Sequence, residues 1–367
     1  MRNFFIIFTS IIFVLTHAEA APNKAKKVAT KNPKNIILLI SDGAGLSHVT
    51  FNIINSNGKS DFLKFSNIGL VSTASEDSAI TDSAAAATAF ATGKKTYNGA
   101  ISLDKNKKSL TTIFEIAKKK GLATGLVVTC SVTHATPAAF VAHVKSRNMN
   151  EEIAKEYVTS HVDFFAGGGL KYFESSKRND KQDLLSQLEK QGYKIYKNFA
   201  DFFTDDYQGK VAALLADEHL PKVSEGRANY TVQALRKALK NLSQNKKGFI
   251  LMVEGSQIDW DSHENDVEYI KQEMRDFDNA IGAAMDFANE DKNTLVIAVS
   301  DHETGGFALT GNKNINDNYG DIDPKFTSKG HSSTMIPLFA YGVGAKNFNG
   351  VYDNVEVFNK MRQSLGL

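Results

Sequence analysis

The chain carries one cysteine in 367 residues, Cys130, so no intramolecular disulfide can support its fold. A polypeptide of this length buries enough apolar surface to manage without one, and an exported protein is permitted disulfides rather than obliged to have them. Cys130 closes an apolar run and reads as a buried, inert thiol. Excess charge is missing too. A formal net charge of +2 argues against a generic polyanion binder and against nucleic acid as a dedicated partner. Beyond the N-terminus no stretch approaches the roughly 20 apolar residues that a membrane-spanning helix needs. The last residues, Gln363 to Leu367, lack the hydrophobic tail of a lipid-anchor signal. There is no internal repeat and no low-complexity linker, and length alone allows one large α/β domain or two smaller ones.

The N-terminus has the form of a secretory signal peptide over residues 1–20. Arg2 supplies the positive start, Phe4 to Leu15 is apolar, and Ala18-Glu19-Ala20 is a small-x-small cleavage site. Residues 21–34 are lysine-rich and read as a flexible leader. The expectation is an exported protein, periplasmic or secreted, whose catalytic domain spans residues 35–367.

Four continuous apolar runs end at a potential ligand. Asn35 to Ile40 leads to Asp42, and Leu126 to Cys130 is followed by His134 and Thr136. Phe249 to Val253 meets Glu254, and Leu295 to Val299 meets Asp301-His302. Runs without polar alternation predict strands buried on both faces, as in a parallel sheet. Open α/β sheets place their sites just beyond the carboxyl ends of such strands. Crossover helices are predicted over Leu110 to Lys120, Ala228 to Leu242 and Tyr269 to Ala288. Residues 148–247 are the least informative and are expected to supply peripheral insertions.

Thr81-Asp82-Ser83 stands at the head of an alanine-rich run, Ala84 to Ala89, which predicts a helix from about Ser83. Its N-terminus would offer free N–H groups and positive potential to an anion beside the Ser83 hydroxyl. Alone, the tripeptide marks no more than a capped buried helix. Metal-ligand spacing elsewhere changes that reading. Asp259 and His263 are four apart, on one helix face, and can share an ion. Asp301 and His302 can reach one ion only where the chain turns after a strand. His331 follows Lys329-Gly330, and Asp42-Gly43 follows a buried strand.

Together these stretches resemble the alkaline phosphatases. The resemblance runs through Leu38 to Gly43, Thr81 to Ala100, Thr133 to Arg147, Val253 to His263, Asp301 to Gly306 and Gly330 to Ser332, in the family's order. It implies a three-layer α/β/α sandwich around a mostly parallel central sheet, with small peripheral insertions. It also implies hydrolysis of phosphate monoesters to alcohol and inorganic phosphate through a phosphoserine on Ser83. Asp259, His263 and His331 would hold one zinc ion. Asp42, Asp301 and His302, with Ser83 as fourth ligand, would hold a second. Asp42, Thr136 and Glu254 would share a third ion, usually magnesium, and Arg147 would clamp the phosphate. The family is commonly homodimeric.

Two positions depart from many relatives. His134 stands where an aspartate is frequent near the third ion; it is not assigned as a direct ligand. Trp260 replaces a basic or imidazole side chain, either weakening phosphate attraction or simply packing on the helix. His48, His143, His161 and His219 match no ligand position. Phosphodiesterases, the alternative on the same scaffold, need room for a second ester group. Sulfatases need a cysteine-derived nucleophile in a Cys-x-Pro-x-Arg context, which Cys130-Ser131-Val132-Thr133 does not provide. A non-enzymatic metal- or phosphate-binding protein would have no use for Ser83.

Overall fold

The computed structural model describes residues 32–227, 229–311 and 322–367. The expected signal peptide and residues 21–31 of the leader lie outside the described residues.

Fourteen strands are formed among the described residues, in chain order: β1 Asn35–Ser41, β2 Asn67–Ser72, β3 Ala123–Ser131, β4 Phe164–Gly168, β5 Tyr193–Tyr196, β6 Lys210–Leu214, β7 Phe249–Gly255, β8 Thr294–Val299, β9 Glu303–Thr304, β10 Ala308–Gly311, β11 Ile322–Lys325, β12 His331–Ser332, β13 Ile336–Gly342 and β14 Gly350–Asp353. Ten build one sheet in the order β14-β2-β13-β8-β1-β7-β3-β4-β6-β5. Its strands are parallel except β13, which runs antiparallel to both neighbours. The four apolar runs are its centre, β8-β1-β7-β3, and every residue of these strands is buried.

Alternation along β1 explains the layers. Ile36, Leu38 and Ile40 point into one hydrophobic core, Ile37 and Leu39 into the other. The helices, again in chain order, are α1 Leu46–Asn55, α2 Ser83–Thr92, α3 Ile113–Lys120, α4 Ala135–Val141, α5 Asn150–Ser160, α6 Leu184–Lys190, α7 Phe199–Thr204, α8 Tyr230–Leu242, α9 Gln257–Glu264, α10 Val267–Asp291 and α11 Val355–Leu365. Residues of α2 to α6 and α11 fill the first core, and those of α1, α7, α8 and α10 the second. The result is the three-layer α/β/α sandwich that the family resemblance implies, around the doubly buried strands that the apolar runs predict.

The predicted helices form with shifted ends. Thr112 and Glu115 make a reciprocal capping box, so α3 starts at Ile113 rather than Leu110, and Gly121 ends it in a left-handed conformation. Residues 148–247 do more than decorate the sandwich. They contribute β4, β5 and β6, which extend the sheet at one edge, and α8, which packs beneath it.

Register gathers the chemistry. Ile40 is paired with Val299 on one side and Glu254 on the other, and Glu254 with Val128. Two residues beyond Val299, Ile40 and Val128 stand Asp301, Asp42 and Cys130. The carboxyl edge of four adjacent strands therefore presents three carboxylates and a thiol within two rungs of the sheet.

Candidate metal centre

Ser83 is the first residue of α2. Asp82 caps that helix, accepting from the Ala85 N–H through its side chain (2.9 Å) and from the Ala86 N–H through its carbonyl (3.0 Å). The first two N–H groups, of Ser83 and Ala84, remain for an anion. Ser83 itself is buried, with Oγ 3.3 Å from His302 Nε2.

Asp42, Asp301 and His302 form one group of potential metal ligands, all fully buried. One oxygen of Asp301, Oδ1, accepts from the N–H groups of Gly43 (3.1 Å) and His302 (3.0 Å). Its other oxygen and both oxygens of Asp42 are buried without a hydrogen-bond partner. Gly43 has no substitute in this turn: its φ is +77°, and a Cβ there would lie 2.7 Å from the Asp259 Cα.

Asp259, His263 and His331 form a second group. The first two come from α9 at the predicted spacing. His331 comes from β12, paired with β9 through Thr304, which stacks its ring on His302 at 3.6 Å between centroids. The tautomers are forced. His331 Nδ1 donates to the Thr81 carbonyl (2.8 Å) and His263 Nδ1 to the Lys329 carbonyl. The Thr304 hydroxyl donates to Asp259 Oδ1 (2.5 Å), so its oxygen accepts from His302 Nδ1 (3.2 Å). In their neutral forms, all three imidazoles then turn an Nε2 lone pair into the site, as supporting contacts do for metal-binding histidines.

Distances decide what these groups can hold. Four ligands at the usual zinc distance stand about 3.3 Å apart on the edges of a tetrahedron. From His302 Nε2 it is 3.4 Å to Asp42 Oδ1, 3.4 Å to Asp301 Oδ2 and 3.3 Å to Ser83 Oγ. In the other group, Asp259 lies 3.3 Å from His263 Nε2 and 3.5 Å from His331 Nε2, and the two nitrogens are 3.2 Å apart. Two lone pairs that close repel unless a cation sits between them. The orphaned carboxylate oxygens make the same demand, since a buried unpaired charge is costly. The residues fit zinc.

Charge tells the same story. Burial, reinforced by Asp301, Asp259 and Glu254, pushes the Asp42 carboxyl well above its usual range. Burial also raises Glu254 to about 7 and lowers His302. A hydrogen bond to Asp259 raises His263 to about 8, so below that pH a proton takes the place an ion would hold. For Asp259, burial acts upward, but His263, His302 and His331 outweigh it and hold the carboxyl low.

Arg147 is held by Asp82, the chain neighbour of Ser83 (3.1 Å to Oδ2), and by His134 (3.1 Å to Nε2). Glu254 and Thr136 are fully buried, each with an oxygen lacking a partner. With His134 and Glu254 the structure brings together a residue that the sequence reading set aside, Cys130.

The alkaline phosphatase family model matches residues 33–325. The chain belongs to the alkaline phosphatase family. Alkaline phosphatase 4 of Bacillus subtilis is 36% identical over 93% of this chain and 76% of its own length. The Escherichia coli alkaline phosphatase is 33% identical over 93% and 88%. Among solved structures, the alkaline phosphatase of the Antarctic bacterium TAB5 is 46% identical, with a TM-score of 0.87 over 92% of this chain and 99% of that one. Variants of that enzyme with one histidine changed to aspartate or glutamate have been solved with magnesium bound in a site designated M3. The chain is thus a phosphoric monoester hydrolase of an α/β family with metal-binding groups.

Every residue singled out from the sequence as catalytic or ligating lies in or beside these three groups. Trp260 packs against the first core, its ring edge-on to His219 (4.6 Å) and His134 (5.9 Å). His48 is a buried structural residue, bonded to the Gly45 N–H and Ser262. Asp82, read only as a possible helix cap, and Thr304 were missed as contributors; Cys130 is a buried free thiol, as expected. Asp82 adjoins the serine, so its position was a usable signal. The partners of Thr304 and Cys130 arrive from elsewhere in the chain, and nothing local announces them.

Proposed function

We propose that the protein hydrolyses phosphate monoesters through a phosphoserine on Ser83, with two zinc ions and a third divalent ion in the three groups. The carrying observation is the set of six donor separations of 3.2–3.5 Å that surround the hydroxyl and its neighbours. Asp259, His263 and His331 would hold one zinc; Asp42, Asp301, His302 and Ser83 would hold the other. Asp42, whose two oxygens are both unsatisfied, is suited to face two ions. Thr136 and Glu254 supply oxygens for the third, and an all-oxygen set suits magnesium.

When bound, the ions lower the pKa of the serine hydroxyl and offset negative charge on the departing oxygen. Ser83 Oγ forms a bond to phosphorus as the ester bond to the alcohol breaks, and the alcohol leaves with a proton. Arg147, its planar fork already aimed by Asp82 and His134, pairs with two phosphate oxygens. The N–H groups of Ser83 and Ala84 take part of the same charge. Water then attacks the phosphoserine from the vacated side, releasing inorganic phosphate and restoring the hydroxyl. Recognition falls on the phosphate rather than the alcohol, so a broad range of monoesters follows. Export through residues 1–20, to periplasm or medium, and a homodimer belong to the same reading.

Ser83→Ala tests it. Turnover of p-nitrophenyl phosphate is expected to fall by about three orders of magnitude or more, with zinc content retained. Near-normal hydrolysis by this variant would refute the nucleophile.

A further inference from the structure

Cys130 is the residue that the reaction above leaves unused. It is fully buried at the carboxyl end of β3, two residues beyond Val128, whose partner across the sheet is Glu254. Residues two apart on a strand face the same way, so the thiol rises on the face that carries Glu254. Its thiol can donate to the Ser131 carbonyl (3.2 Å) or to Glu254 Oε2 (3.5 Å). One donor atom each from Cys130, His134 and Glu254 lie within 4.8 Å of one another.

The neighbourhood asks for a cation independently of the thiol. Glu254 Oε1 and Thr136 Oγ1 are buried without partners, as are both oxygens of Asp42. Arg147 can only donate, so His134 Nε2 accepts and in the neutral ring Nδ1 carries the proton; that nitrogen is buried without a partner but has no lone pair to offer. Sulfur and carboxylate are left to take the ion. A zinc ion bound by one thiolate and one carboxylate sets sulfur and oxygen about 3.6 Å apart, close to the distance found.

We propose that Cys130 is a direct sulfur ligand of the third metal site, converting an all-oxygen site into a mixed sulfur–oxygen one that selects zinc over magnesium. The inference rests on the third-ion reading above. On binding, the thiol releases its proton to solvent and donates a sulfur lone pair; nothing is oxidised. Thiolate favours zinc and related ions, whereas magnesium requires oxygen ligands.

A sole cysteine makes the test unambiguous, because any thiolate–metal signal must come from Cys130. The full chain is stripped with a chelator and titrated with cobalt(II) while absorption is recorded and bound metal counted. A near-ultraviolet sulfur-to-cobalt charge-transfer band should grow with the third equivalent. Cys130→Ser should lose that band and keep the visible bands of the other two sites. Its third-site zinc affinity should fall at least about tenfold, with magnesium affinity maintained. Wild-type protein carrying three cobalt ions without the band overturns the proposal, as does a chain that accepts only two ions. The wild-type spectrum suffices if the variant does not fold. Full monoesterase activity with no band sinks this inference alone; only a dispensable Ser83 removes the reading beneath it.

Discussion

The two zinc-type groups differ in how they are held. Asp42, Asp301 and His302 project from the ends of neighbouring strands, all fully buried. Asp259, His263 and His331 ride on a short helix and a two-residue strand, and His263 and His331 are only partly buried. The inner group has backbone N–H groups fixing Asp301 and three carboxylate oxygens with nothing to bind. In the outer group His263 and Asp259 can share a proton instead. The inner group thus depends on its ion for charge balance, whereas the outer one has a fallback. This suggests that the outer ion exchanges more readily.

Removing one ligand from each group tests that contrast most strongly. Asp301→Ala should abolish measurable turnover and lower zinc content at high external zinc, because it deletes a proposed ligand that the Gly43 and His302 N–H groups fix in place. His263→Ala should weaken the outer ion by at least about 10–100-fold, the scale for losing an outer-shell partner of a metal ligand, with activity largely recovered in excess zinc. Rescue of both variants by zinc, or of neither, would show the two groups to be equivalent.

A smaller effect lies in the stability of metal-free protein. Burial lifts Glu254 from an ordinary 4.5 to about 7, so the folded chain binds more protons than the unfolded one between those values. Stability therefore falls as pH rises through that window. His263, raised from 6.5 to about 8, contributes stability that is present below 6.5 and lost by about 8, in the same direction. Buried His48, His134 and His302, whose pKa values are lowered, act oppositely below about 6.5, so thermal melts of chelated protein should show Tm decreasing from pH 7 to 8, and added zinc should remove most of the slope. A Tm that climbs with pH over this range in the chelated protein would contradict the assignment.

The smallest effect concerns the cap of α2, outside both groups. Asp82→Ala removes the side-chain acceptor for Ala85 and one of the two partners of Arg147. It should cost about 1 kcal/mol in stability and raise KM more than it lowers kcat, measurable by melts and steady-state kinetics. An unchanged KM would mean that His134 alone aims the arginine.

How far these features can be read from sequence follows the range of the interaction involved. β1, β3, β7 and β8 are visible as apolar runs because burial on both faces leaves no room for polar alternation. Asp259 and His263 are legible because helix geometry alone makes them neighbours. Asp42, Asp301, His302 and His331 were found through family resemblance, since only strand register and the β9–β12 pairing bring them together. Residues 148–247 hid β5 and β6 because both are very short, and Lys194 interrupts the apolar pattern of β5. Cys130 was legible as a buried thiol, but its place beside Glu254 was not, because both belong to buried strands whose pairing no local pattern reveals.

The most direct measurement of the whole account is hydrolysis of p-nitrophenyl phosphate by chelated protein as zinc is returned and counted. Activity should vanish on chelation and reappear as the second zinc per chain binds, the inner and outer groups then both being filled. Undiminished turnover by protein shown to be metal-free would contradict the claim that these donor groups work through bound ions.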